Sequence, residues 1–533
     1  MLKTVKLLVF IQFLWYNLLM ETVTITKAEY EEFLASKEHM ARLERQVEYL
    51  LEQMRLSRHR QFGAKSEKSE YDLSQLNLFN EAEVMAAPEQ PDPELVEVEK
   101  HYRKKRSVAD RLPEDLPVEL IEYTLPEDEQ ICCECGCALH IMGHESRREL
   151  KIIPAQASIV EHRRAVYSCR HCEQTDIRVP IRKAEMPKSV ISGSFASPEA
   201  VAHIMNQKFV MSVPLYRQEQ EFQRSDILLS RQTMSNWLLR SAEDWLVPVY
   251  NRMKTLLLAH DVLHADETTL QVLREPGKTA QSKSYMWLYR TSGNALHPIV
   301  LYEYQASRKA EHPKQFLEGW SGYLHADGYD GYRKLPNGIA VVGCWAHLRR
   351  KFDEALKIVP EKGRGDSLAL IGKRYCDRLF SLEREFENLS PQQRFEKRME
   401  SSKPLMEELF AWAYSCGAAP KSPVGKAVYY AMSQRKYLEK YLLDGRLEIS
   451  NNRAERSIKP FVIGRKNWLF ANTPRGAKAS AMIYSVIETA KENGLKPYDY
   501  LCHVFRSAPN LDLKDPQQLD TLLPHHFKAT AGG

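Results

Sequence analysis

Twice in this chain a short apolar run closes on the tripeptide His-Ala-Asp. The first is Val262-Leu263-His264-Ala265-Asp266-Glu267-Thr268, and the second is Gly322-Tyr323-Leu324-His325-Ala326-Asp327, 61 residues further on. Apolar runs of this length closed by acids read as buried strands with carboxylates at their ends. After Asp266 the apolar and polar residues alternate to Leu273, which predicts a turn or bulge and then a second strand segment. A carboxylate at a buried strand end is costly unless a cation or hydrogen-bond donors compensate it. Two such ends therefore predict one metal-binding carboxylate cluster.

At 533 residues the chain exceeds what one hydrophobic core normally serves, so several domains are expected. Charged residues make up 27% and the mean hydropathy is −0.47, which excludes a polytopic membrane protein. The net charge of +5 is too small to argue for nucleic acid by itself, so the placement of the basic residues has to decide. Six of the ten cysteines cluster between Cys132 and Cys172, in CxxC pairs. That pattern favours a metal site in a reduced compartment, here the cytoplasm, over a disulfide framework. Residues 1–19 form an apolar leader behind Lys3 and Lys6 with no small-residue cleavage site. They are read as a misassigned start, with Met20 as the true beginning.

Segment 20–80 is helical in pattern, with Met40, Leu43, Val47, Leu50 and Met54 on a heptad seam. It is read as a helical or coiled-coil DNA-binding segment, with packing inside its own domain as the alternative. Segment 81–125 is a linker, since its first 19 residues carry seven acids, three prolines and no Lys or Arg. It continues into a basic arm containing Arg103, Lys104, Lys105 and Arg106, a candidate phosphate contact.

Segment 126–180 holds two CxxC knuckles, Cys132-Cys133-Glu134-Cys135-Gly136-Cys137 and Cys169-Arg170-His171-Cys172. Tetrahedral thiolate ligation by Cys132, Cys135, Cys169 and Cys172 predicts a structural Zn²⁺ site of zinc-ribbon type, with Cys133 or Cys137 as substitutes at the first knuckle. Residues 150–153 and 158–167 between the knuckles read as strands. Segment 190–255 carries three helical patterns, opening at Ser197-Pro198, Pro214 and Ser230, in a helix-turn-helix-like outline. A plain helical bundle would give the same pattern.

Segment 256–485 runs three strands, helix, strand, turn, strand, which is the outline of a ribonuclease-H-like α/β core. Residues 360–445 interrupt it as a helical insertion without a chemistry-bearing cluster, and residues 486–533 form a C-terminal helical region. The expected fold class is thus multidomain α+β. From Arg446 to Lys478 eight Lys or Arg face two acids, with aromatic residues interleaved, which suits a surface that grips phosphates. Arg456, Lys459, Arg465 and Lys466 are its candidate contacts. Glu455 sits among these cations, either as an ordinary salt-bridge partner or as a third metal ligand.

The motifs that identify a relationship are His-Ala-Asp266-Glu-Thr, Asp327-Gly-Tyr-Asp-Gly-Tyr332, Gly343-Cys-Trp-Ala-His347-Leu-Arg-Arg350, Asn451-Asn-Arg-Ala-Glu455-Arg and Ile463-Gly-Arg-Lys-Asn467. In this combination the chain resembles the transposases of the IS-sixty-six insertion-sequence family, of the DDE superfamily. The resemblance implies Asp266, Asp327 and Glu455 as the catalytic triad. Glu267 and Asp330 are rivals to the first two acids and candidate supporting groups. Cys344 and His347 match a CxxH pattern seen after the second acid in related transposases, against the alternative of a buried cysteine and a core histidine.

Three carboxylates suit two divalent ions about 3.5–4 Å apart, Mg²⁺ by its preference for hard oxygen ligands and Mn²⁺ as its substitute. The expected activity is metal-dependent nicking and strand transfer at element ends. Its partners are double-stranded DNA (element ends and target), a second copy of the chain and accessory proteins of the same element, with no membrane. A nuclease of the same fold without strand transfer, and a DNA-binding regulator with an inactive core, are the alternatives.

Overall fold

The structure, a computed structural model, describes residues 157–167, 182–360, 363–365 and 367–527. The N-terminal seam, the basic arm and all four expected zinc ligands lie outside these residues. The chain divides into two compact units, residues 65–185 and the remainder. Of the first unit, the described part is a two-stranded antiparallel ladder, β1 (Val166–Tyr167) with β2 (Arg182–Lys183). The strand expected over 158–167 is therefore confined to its last residues. Ile159 and Val160 are 97% and 67% exposed, so no packing supports a longer ladder there.

The second unit opens with helices α1 (Pro198–Phe209), α2 (Leu215–Arg224), α3 (Arg231–Ser241) and α4 (Val247–Leu257). Ser197 caps α1 by accepting from the Ala200 amide, and Ser230 caps α3 by accepting from Thr233. Five strands then form one mixed sheet: β3 (Val262–Gln271), β4 (Lys283–Thr291), β5 (Val300–Gln305), β6 (Gly322–His325) and β7 (Ile339–Val342). Helix α5 (Glu311–Phe316) links β5 to β6. The spatial order is β5-β4-β3-β6-β7; β3, β4 and β5 form an antiparallel meander, while β6 and β7 run parallel to β3.

Strand β3 does not break at its acids. It pairs with β4 without interruption from Leu263 to Gln271, so the expected turn or bulge is absent and Asp266 and Glu267 lie mid-strand. The ladder to β4 bonds alternate residues of this segment, and side chains take up groups it leaves over: the Glu267 amide donates to Asp266 Oδ1 (2.9 Å), and Asn451 Nδ2 donates to the Ala265 carbonyl (2.8 Å). Gly322 enters β6 at φ +148°, where a Cβ would come within 2.3 Å of the Asp261 carbonyl oxygen.

After β7 come α6 (Trp345–Ile358), α7 (Leu368–Glu385), α8 (Pro391–Lys397), α9 (Lys403–Ser415) and α10 (Pro423–Leu438). They build a core of their own from Trp345, Phe352, Leu379, Phe410, Leu438 and Tyr441, joined to the sheet through Val262 and Val342. Buried Arg398 ties this region to the return of the chain. It binds both carboxylate oxygens of Glu383 (2.8 and 2.6 Å) and the carbonyls of Tyr441, Asp444 and Leu447. With its donors so satisfied, a buried guanidinium is tolerated.

The last helices are α11 (Asn452–Trp468), α12 (Pro474–Glu492), α13 (Pro497–Ser507) and α14 (Pro516–Asp520). Helix α12 covers the open edge of β5: Ser485 Oγ accepts from the Tyr302 amide (2.7 Å), and Thr489 Oγ1 bonds both the amide and the carbonyl of Val300. An exposed edge strand is thereby closed to further pairing. Helices α1–α4, the sheet and α12–α13 share one hydrophobic core. Among the described residues, no helix is long and apolar enough to cross a membrane.

Candidate active site

Parallel pairing of β3 with β6 sets His264 opposite His325, in register with Leu263–Leu324 and Val262–Tyr323. Asp266 and Asp327 each follow two residues later, so the repeated tripeptide becomes a pair of neighbouring carboxylates. Side chains alternate along a strand, hence Asp266 shares a face with His264 while Glu267 points to the other face. Asp327 lies two residues past the end of β6, where its Oδ1 accepts from the Tyr329 amide (2.9 Å). Glu455 stands in the first turn of α11.

Burial, followed by repulsion from Glu267, Asp327 and Glu455, holds the Asp266 carboxyl well above the usual carboxylate range. Among the described residues, no Lys, Arg or His comes within ion-pair distance of Asp266 to offset this. Asp327 and Glu455 retain 25% and 28% side-chain exposure, so the cluster is open to a substrate.

Glu455 is held from α6. Arg350 donates to its Oε2 (3.1 Å), and His347 Nδ1 lies 3.7 Å from Oε1. Burial opposes protonation of His347, but its hydrogen bond to Cys344 and the charges of Cys344, Glu455 and Asp327 push its pKa up to about 9. Cys344 Sγ also accepts from the Asn451 amide (3.1 Å). Among the described residues, Cys344, His347 and Glu455 are the set of metal-ligand types whose donor atoms all lie within 4.8 Å of one another. This trio links the start of α6 to the start of α11.

The two histidines form a buried anchor beneath the acids. Their rings stack at 4.3 Å and 13°. His264 Nδ1 lies 3.0 Å from Asn451 Oδ1, and Asn451 Nδ2 donates to the Ala265 carbonyl (2.8 Å). With the Asn451 amide donating from Nδ2, its Oδ1 accepts, which puts the His264 proton on Nδ1. His325 Nε2 accepts from the Glu448 amide (3.2 Å), and burial, then the charge of His264, keeps this imidazole well below its usual pKa. The Glu448 carboxylate in turn binds Arg453 (2.7 Å) and the Gly293 amide (3.1 Å).

The remaining candidates are dispersed. Glu267, its side chain 1% exposed, is bound by Arg308 (Nε, 2.7 Å) and by the Tyr332 hydroxyl (2.6 Å), while burial, then the charge of Asp327, holds its carboxyl above the usual value. Asp330 does not join the acids; it is exposed and paired with Arg333 (2.9 Å). Arg456, Lys459 and Lys466 are exposed on α11. Arg465 is turned inward instead, onto Thr268 Oγ1 (3.3 Å) and Thr269 Oγ1 (3.1 Å), and burial lowers its pKa. Arg103, Lys104, Lys105, Arg106, Cys132, Cys135, Cys169 and Cys172 lie outside the described residues. Sequence reading assigned no role to His264, His325, Arg308, Glu448 or Asn451. The repeated His-Ala-Asp held the signal for the two histidines, since a motif doubled on neighbouring strands repeats its side-chain environment.

Comparison with known proteins matches four family models along the chain. Residues 193–479 match the Transposase IS66 family, and residues 49–121 match the model described as Transposase C of IS166 homeodomain. Residues 129–173 match the zinc-finger binding domain of transposase IS66, and residues 485–525 the IS66 C-terminal element. Two uncharacterized proteins of Sinorhizobium fredii (strain NBRC 101917 / NGR234), y4hP and y4jD, are each 30% identical to the chain. The matches cover 91% of this chain and 88% of y4hP, and 88% of this chain and 93% of y4jD.

Proposed function

Because the chain belongs to the IS66 family of transposases, we propose that it cuts DNA at the ends of an insertion element and joins those ends to target DNA. The observation that carries this reading is the parallel register that sets Asp266 and Asp327 two residues past the paired His264 and His325, with Glu455 in the first turn of α11, whose preceding residue Asn451 bonds back to β3. The strand order, an antiparallel meander followed by two parallel strands, supports a ribonuclease-H-like core around them.

The donor set suits a hard divalent cation, Mg²⁺ or Mn²⁺. All three groups are carboxylates, and among the described residues Asp266 has no ion-paired cation and the buried Glu455 Oε1 has no hydrogen-bond partner. When bound, such ions supply activation of the attacking oxygen and stabilisation of the leaving oxygen. Arg350 and His347 orient Glu455, while Asn451 fixes the start of its helix. The exposed cations Arg456, Lys459 and Lys466 grip DNA phosphates, joined by the basic arm at 103–106. Cys132, Cys135, Cys169 and Cys172 hold a structural Zn²⁺ in the zinc-finger segment. The domain limits set out from sequence, and a dimer or larger assembly that brings two ends together, belong to the same proposal.

The test is nicking and strand transfer on labelled end DNA with Mg²⁺, comparing wild type with Asp266→Asn and Glu455→Gln. Loss of both activities in both variants is expected. Cleavage at wild-type rates by Asp266→Asn would refute the assignment. Nicking without joining of pre-cut 3′-hydroxyl ends would make the protein a nuclease of this fold.

A further inference from the structure

Beside Asp327 lies a pocket of about 440 Å³, lined by Gly328, Arg333, Lys351, Lys426, Tyr429 and Tyr430 among others. The helical insertion supplies six of its nine lining residues, so this region is not merely a scaffold. On α10, Lys426, Tyr429 and Tyr430 recur at i, i+3 and i+4 and share one helix face. Gly328, the residue after Asp327, lets the floor approach this face: a Cβ there would stand 3.1 Å from the Tyr430 ring and hydroxyl.

We propose that this pocket takes one unpaired nucleotide of the DNA strand that adjoins the cleaved phosphate; the proposal rests on the DNA-cutting reading above. No carboxylate lines the pocket, while three cations do. Among the described residues, Lys351 and Lys426 have no carboxylate partner. Lys351 stands over the Tyr430 ring, 4.9 Å from its centroid, and presents its charge at the pocket wall. These groups suit a phosphate. Tyr429 is 74% exposed, so the fold itself makes little use of its ring. A duplex keeps its bases stacked inside and offers such a ring nothing but backbone, whereas an unstacked base has a face to lay on it. The volume falls in the range of small-ligand sites, roughly 300–1,000 Å³, which admits a nucleotide and excludes a duplex.

The test places 2-aminopurine at successive positions around the cleaved phosphate of end DNA and titrates it with the full chain in buffer free of Mg²⁺ and Mn²⁺. The expected result is a fluorescence change at one or two adjacent positions, lost in Tyr429→Ala, with roughly tenfold weaker binding of that DNA. Lys426→Ala should lower the salt dependence of binding by about one phosphate contact. Tyr414→Ala, another exposed tyrosine of the same helical region, should leave the profile unchanged. A wild-type profile with no responding position, or one that Tyr429→Ala retains, overturns the proposal. Nicking measured in parallel separates the two readings. Wild type that nicks normally while the fluorescence profile stays flat loses the pocket alone, and wild type that responds but never nicks loses the cutting reading.

Discussion

The imidazoles of His264 and His325 stack at 4.3 Å in the interior of the sheet, each two residues before an acid of the candidate site. Through Asn451 and Glu448 they also hold the segment that leads into α11 and Glu455. Three carboxylates from distant parts of the chain are thus positioned by one buried polar network. Asn451→Ala removes the hydrogen bonds to His264 and to the Ala265 carbonyl and leaves buried groups unpaired. A loss of about 2–4 kcal/mol in a denaturant melt is expected. Nicking should fall by about a hundredfold, because misplacement of a reacting group by an ångström costs that order of rate. Affinity for end DNA should change little; affinity falling in parallel with nicking would mark Asn451 as purely structural.

Asp266 is repelled by three other carboxylates, and among the described residues no cation forms an ion pair with it. Asp266→Asn should therefore raise the melting temperature of protein without added divalent ions, by about 1–2 °C for a gain near 1 kcal/mol, while abolishing nicking. Added Mg²⁺ should raise the melting temperature of wild type and leave the variant unmoved. Scanning calorimetry without added Mg²⁺ or Mn²⁺ and in Mg²⁺ reads both.

Glu267 is almost wholly buried and relies on Arg308 and Tyr332. Arg308→Met leaves that carboxylate without its cation, and a loss of about 3–5 kcal/mol is expected. The double variant with Glu267→Gln should recover most of it. Urea melts of the two single variants and the double variant form the cycle that measures this coupling.

A pH dependence follows from Glu303, on β5 and away from the acids. Burial pushes its carboxyl up to about 7, opposed by a hydrogen bond to Gln305 and the charge of Lys254. The folded protein thus holds a proton that the unfolded chain releases near pH 4.5. The resulting stability is complete below that value and is lost as pH rises through about 7, a change of about 1–3 kcal/mol. Glu303→Gln should flatten this slope and be the more stable protein at pH 8, as melts between pH 5 and pH 8 would record.

Much of the fold was legible in the residues. The order of three strands, helix, strand, turn and strand expected within 256–485 is the order of β3 to β7, and the serines at 197 and 230 that opened two helical patterns cap their helices. The unbroken course of β3 through its acids was not legible, since a polar tetrad reads as an interruption until β4 is known to pair along it. The sorting of the acids was equally hidden. Asp266 and Glu267 are adjacent in sequence, and strand alternation sends one to the open cluster and the other to Arg308.

By itself the sequence determined which side chains could do chemistry, because doubled His-Ala-Asp motifs, paired CxxC knuckles and a lone glutamate among cations are statements of residue type and spacing. Tertiary structure alone decided which of them meet. Parallel register brings His264 to His325, and a helical insertion folds on its own core to return Glu455 to the sheet. The same insertion sets Tyr429 and Lys426 beside Asp327. Such contacts depend on chain closure over 61, 128 and about a hundred residues, and local propensity carries no information over those distances.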